Sequence, residues 1–191
     1  MRGGIHMKKE QQYFETGTPI AQYMDEMSTL QDNSYRVYNG FELPNDEEFF
    51  NKLKAANPHV LVITEDWCGD AMINNAVLRK IAEKAEIEVR CVLRDENIEL
   101  MDQYLTNGGR AIPIYIFLSE EGEVIGQWGP RAPELQSYVM KQRESLPPKE
   151  DENFDAAQTE MYLNIGEENA SNDQFWNWVY NSQKEALLKS I

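Results

Sequence analysis

Apolar residues fall in two rhythms along this chain, one close to the helical period and one tighter, and their alternation outlines the elements. After Thr18-Pro19, a cap hydroxyl and a residue suited to the first helical position, Ile20, Tyr23, Met24 and Met27 recur at helical spacing. That spacing predicts an N-terminal amphipathic helix. A second helix is predicted where Asn45-Asp46-Glu47-Glu48 places a cap residue and an acidic first turn before Phe49, Phe50 and Leu53, and Asn57-Pro58 stops it. His59 to Thr64 (His-Val-Leu-Val-Ile-Thr) is short, β-branched and nearly continuous in apolar residues, the pattern of a strand buried on both faces.

Trp67-Cys68-Gly69-Asp70 follows, and from Ala71 the helical rhythm returns through Met72, Ile73, Ala76, Val77 and Ile81 to about Ala85. Cys68 is thus expected in a strand-to-helix turn. In Ile87 to Leu93 every odd position is apolar, which predicts a strand, and a short helix from about Asn97 to Leu105 is stopped by Asn107-Gly108-Gly109. Ile114 to Leu118 and Val124 to Trp128, joined by Ser119-Glu120-Glu121-Gly122, read as a hairpin, and Pro133 to Gln142 as a helix with Leu135, Tyr138 and Val139 inward.

The segment Pro147-Pro148-Lys149-Glu150-Asp151-Glu152 is polar and bars a continuous helix, so it is read as a linker. Two helical patterns follow it, Phe154 to Ile165 and one marked by Phe175, Trp176, Trp178, Val179, Leu187 and Leu188. The aromatic face of the second is too large to leave in water, so it is expected to dock on the domain or on another copy of it in a homo-oligomer. The organisation read from these elements is an α/β domain at 45–145, an N-terminal helical extension at 1–44 and a C-terminal linker and helical extension at 146–191. Met7 reads as the native start, with residues 1–6 preceding it.

Charge and composition narrow the partners. With 33 acidic and 18 basic residues the net charge is −15, and no clustered Lys/Arg surface is available to neutralise phosphates. Nucleic acid and anionic membrane are therefore not expected. No apolar run is long enough to cross a bilayer, and the N-terminus lacks the apolar core of an export signal. Two cysteines, Cys68 and Cys91, and two histidines, His6 and His59, lack metal-ligand spacing, so no metal and no cofactor are expected. A thiol-poor chain without an export signal fits a reducing, cytoplasmic setting.

Two separated motifs then carry a family resemblance. Trp67-Cys68-Gly69-Asp70-Ala71 resembles the Trp-Cys-Gly-Pro-Cys turn of thioredoxins, and Ala111-Ile112-Pro113 resembles the loop whose cis-proline packs against the reactive sulfur; both stand in the family's order relative to strands and helices over roughly residues 45–143. The resemblance implies a thioredoxin-like fold, a central mixed β-sheet flanked by helices. It further implies a catalytic Cys68, with Trp67, Gly69, Asp70, Ile112 and Pro113 forming the substrate-binding surface. A thiolate, not a thiol, attacks a disulfide, and a helix N-terminus favours the anion, so Cys68 is expected to titrate moderately below a free thiol.

Departures from the family pattern matter as much. Ala71 replaces the second cysteine, Asp70 replaces the proline and opposes a nearby thiolate, and Val62 stands where the family's buried acid would assist the second thiol. A dithiol cycle cannot run in this motif. Cys91 shares the apolar face of its strand and reads as structural. Glu65 and Asp66 read as a solvated acidic loop, His59 as a strand-edge residue, and Arg110 as either an exposed arginine or an offset to Asp70. Two functions remain open: a monothiol protein exchanging with protein disulfides or small thiols, which an external thiol resolves, and a non-catalytic thioredoxin-like binding module.

Overall fold

The computed structural model describes residues 8–191, so the readings of Met7, His6 and the leading residues lie outside the described part. Helices α1 (Glu10–Thr16), α2 (Ile20–Asp25) and α3 (Gln31–Gly40) enclose a two-residue strand β1 (Thr18–Pro19), and α4 (Glu47–Ala56) leads into β2 (His59–Thr64). Then come α5 (Gly69–Ala85), β3 (Val89–Leu93), a 3₁₀ turn (Arg94–Glu96), α6 (Ile98–Met101), β4 (Ile114–Leu118) and β5 (Val124–Trp128). Helices α7 (Pro133–Glu144), α8 (Phe154–Ser171) and α9 (Asp173–Ser190) complete the chain.

The sheet is mixed, in the order β1-β3-β2-β4-β5, with β2 parallel to β3 and every other pairing antiparallel. The chain is thus α/β, its sheet flanked by helices. Strand β2 lies at the centre and is buried from Val60 to Thr64, which is why its sequence shows no polar face. Alternate residues feed two cores. Val60, Val62, Val89, Cys91, Tyr115 and Phe117 face α4, α5 and α9, whereas Leu61, Ile63, Val92, Ile114, Ile116 and Cys68 face α1 and α6.

Two local expectations change. The predicted helix follows as α2, but with Pro19 at its N-cap position and no side-chain cap from Thr18; Thr18 pairs with Cys91 and Pro19 with Arg90 at the sheet edge, where a proline that cannot donate a ladder hydrogen bond is tolerated. The N-terminal segment therefore contributes to the sheet, ahead of the expected domain start at residue 45. The helix expected over 97–105 is only the short turn of α6, which ends at Met101, and the chain then reverses through Asn107 and Gly108, both with positive φ.

The C-terminal aromatic face docks on its own domain. Phe175, Trp176, Val179, Tyr180 and Leu187 of α9 are buried in the core shared with α4 and α5. Polar tips of the aromatic residues find partners there: Trp176 Nε1 donates to Asn169 O at 2.8 Å, and Tyr180 donates to Asp46 at 2.9 Å. Lys184 also pairs with Asp46, at 2.5 Å, so that carboxylate anchors α9 and does not cap α4. On the other side Trp128 Nε1 donates to Ser182 at 2.8 Å, tying β5 to α9. The smaller cluster of Val139, Met161 and Ile165 holds α8 against α7.

Candidate functional site

The turn from β2 into α5 places Cys68 as the N-cap residue of a 17-residue helix. Its sulfur takes the role a serine oxygen has at other helix starts, accepting the Ala71 N–H at 3.4 Å. On the other side the thiol donates to the Ile112 carbonyl at 3.5 Å. The Ile112–Pro113 peptide is cis, and both residues are buried against the turn. The two motifs that sequence kept apart by more than forty residues therefore meet at one sulfur.

Gly129 closes the back of this arrangement. It holds φ +124°, and a Cβ placed on it would lie 2.3 Å from the Pro113 carbonyl oxygen, so only glycine admits this approach. Gly69, by contrast, is not required by the backbone or by close packing. A Cβ there would meet nothing within 4 Å, and its φ is not in the left-handed region. Its contribution is to leave the backbone beside Cys68 uncovered.

Asp70 does not face the sulfur uncompensated. Arg131, from the loop before α7, grips it with Nε to Oδ1 at 2.9 Å and Nη2 to Oδ2 at 2.8 Å, and both side chains are more than four-fifths buried. Sequence had considered Arg110 for this place; that residue is instead exposed and paired with Asp102 at 2.8 Å. Asn74 of α5 donates to Pro130 O at 2.8 Å, so with the Arg131–Asp70 pair the 129–132 loop is fastened to α5 twice, and Arg131 also donates to Gln136 of α7. Arg94 is another basic residue beside the turn, and Arg143 also lines the cleft next to it. Arg94 lies 5.0 Å from the Trp67 ring centroid and donates to Arg110 O at 3.0 Å, fixing an indole that is 55% exposed.

Glu65 and Asp66 are structural, contrary to the expectation of a solvated loop. Glu65 is buried, accepts the Asp95 N–H at 3.1 Å, and is pushed above the usual carboxylate range chiefly by burial. Asp66 accepts from Ser28 N at 3.0 Å and Ser28 Oγ at 3.2 Å, pinning the segment before α3 to the turn. Val62, at the family's acid position, is fully buried.

Electrostatically the sulfur is a hard thiol to ionise. Burial pushes Cys68 up to about 11, the Asp70 charge adds to this, and the Ala71 and Asp70 N–H groups and Arg131 offset only part of it. The expected titration below a free thiol is thus reversed, because desolvation exceeds the attraction of the helix N-terminus. Cys91 is fully enclosed and pushed up further by burial; it lies on the opposite face of the sheet from Cys68, so it cannot resolve a disulfide there. His59 sits at the start of β2 with its ring 4.4 Å from that of Phe14 and bonded to Gln11, away from the sulfur. Among the described residues no cluster of His, Cys, Asp and Glu is placed to hold a metal ion, and no helix is long and apolar enough to cross a membrane.

Beside Cys68 opens a cleft of about 740 Å³, walled by Trp67, Gly69, Asp70 and Arg131 on one side and by Tyr162, Leu163 and Gly166 of α8 on the other. The sequence placed α8 in an extension and did not connect it with the site.

Comparison with known proteins places this geometry. The chain resembles a protein of unknown function, PA1234, from Pseudomonas aeruginosa, with a TM-score of 0.63 at 20% identity over 94% of this chain and 99% of that one. An HIV epitope-scaffold aligns with a TM-score of 0.57 at 20% identity over 91% of this chain and 99% of the scaffold. No curated protein matches significantly. A family profile described as thioredoxin matches residues 17–147, a span that begins beside β1 and ends after α7 and so takes in the whole sheet, the Cys68 turn and the Pro113 loop. By that match, on a fold with the cysteine turn and the cis-proline in contact, the chain belongs to the thioredoxin family.

Proposed function

We propose that this protein carries out thiol-disulfide exchange with one sulfur. Cys68 attacks a disulfide of a protein or small molecule, and an external thiol releases the mixed disulfide in a reducing, cytoplasmic setting. The observation that supports this reading is the contact of Cys68 with both the Ala71 N–H and the carbonyl before Pro113, since a disulfide reaching the sulfur would then meet both the helix start and the loop backbone. Ala71, with its side chain 2% exposed under the turn, leaves no second thiol to complete a dithiol cycle.

One observation favours the alternative, a thioredoxin-like module that binds without turnover. A thiol titrating near 11 is ionised in about one molecule in 10,000 at pH 7. Mass spectrometry after incubation with an oxidised small thiol distinguishes the two. Exchange gives an adduct at Cys68 and none at Cys91, at a rate that rises with pH toward 11. A protein that remains unmodified at pH 9 over hours is a binding module.

A further inference from the structure

We propose that the cleft beside Cys68 selects small disulfides and thiols bearing a negatively charged group, with Arg143 as the recognising residue and α8 as the wall that sets the size. The inference rests on the exchange reading and names its substrate class. At about 740 Å³ the cleft lies in the range of sites that enclose small molecules. Its α8 wall is fastened: Met161 and Ile165 pack on Val139, Asn169 and Ala170 are buried, and Glu167 pairs with Arg36 at 3.4 Å. A folded protein approaching Cys68 meets this wall, whereas a small body fits beside it.

Charge then chooses among small bodies. Four charged side chains line the cleft, Asp70, Arg131, Arg143 and Glu167. Asp70 and Arg131 neutralise each other, and Glu167 is matched by Arg36 from α3. Arg143, exposed at the end of α7, makes no ion pair among the described residues, so it leaves the cleft locally positive on a chain of net charge −15. A local field of that sign draws anions against the general repulsion. Trp67, Tyr162 and Leu163, exposed by 55%, 48% and 70%, give the uncharged part of such a molecule an apolar surface to cover.

The chemistry balances with an external small thiol as its one co-reactant, the Cys68 proton passing to solvent before attack. The Cys68 thiolate attacks one sulfur of R–S–S–R, the S–S bond breaks, R–S⁻ leaves with the electron pair, and Cys68–S–S–R remains. A second small thiolate attacks the R sulfur, freeing Cys68 as a thiolate and forming a new small disulfide.

The test measures Cys68 adduct formation by intact mass with three disulfides: dithiodiglycolate (anionic), hydroxyethyl disulfide (neutral) and cystamine (cationic). Each rate is normalised to that of the same disulfide with free mercaptoethanol. The expected order is anionic, neutral, cationic. Arg143→Gln lowers the anionic-to-cationic ratio about tenfold. Gly166→Leu, at a position where an added Cβ meets nothing within 4 Å, slows all three without lowering the melting temperature. A cationic-first order, or a ratio indifferent to Arg143→Gln, overturns the inference while leaving exchange intact. Absence of any Cys68 adduct overturns the exchange reading itself.

Discussion

Replacing Asp70 by asparagine removes the one negative charge that acts directly on Cys68 and leaves Arg131 unneutralised beside it. Burial, which the substitution does not change, remains the largest cause of the high titration near 11, so the thiol does not become acidic. Removing a like charge and freeing an opposite one at this range lowers a thiol by about 1 to 2 units. The thiolate fraction at pH 7 then rises about 10- to 100-fold. Each thiolate becomes a weaker nucleophile as its basicity falls, with a Brønsted coefficient of about 0.45, so the net gain in exchange rate at pH 7 is about 3- to 10-fold. The assay is the pH dependence of Cys68 alkylation by iodoacetamide, with Cys91 as an internal reference for unfolding. Because Asp70 and Arg131 are mostly buried, the variant also loses about 1–3 kcal/mol of stability, measured separately by urea unfolding. A midpoint that stays in place or moves upward in the folded variant would refute the reasoning, since the Asp70 charge would then not reach the sulfur.

Gly129→Ala should destabilise the fold by about 3 kcal/mol or more, read as a fall in melting temperature, because the new methyl meets the Pro113 backbone at a φ that side chains avoid. Gly69→Ala, with open space and an ordinary φ, should leave the melting temperature nearly unchanged. Asp46 is held below the usual carboxylate range, first by its hydrogen bond from Lys184. Its contribution to docking α9 is therefore present above pH of about 4 and lost as pH falls through its lower folded value, and Trp176 fluorescence should report a transition there that Asp46→Asn removes. Ala71→Cys should form a disulfide with Cys68 and gain dithiol turnover of a small disulfide that the parent chain lacks, the backbone N–H of residue 71 already touching the sulfur; an introduced thiol that stays reduced in oxidising buffer would show that the turn holds the two positions too far apart.

Local chemistry was sufficient for what lies within one stretch of chain. The continuous apolar run of β2, the β4–β5 hairpin with its Gly122 turn and the Cys68 start of α5 all appear where the sequence places them, because strand burial, turn residues and helix periodicity are properties of neighbours in sequence. The pairing of the Cys68 turn with Pro113 was legible only through the family resemblance. Tertiary structure decided the rest. Thr18-Pro19 reads as a cap by its residues but becomes an edge strand because Cys91 and Arg90 offer it a partner. Arg131, and not Arg110, neutralises Asp70, since which of two loops reaches the turn depends on the packing of α7 and not on distance in sequence. The titration of Cys68 was decided in the same way: the helix start that favours a thiolate is visible in the sequence, but the enclosure that outweighs it exists only once α5, the Pro113 loop and the surrounding core have closed around the sulfur.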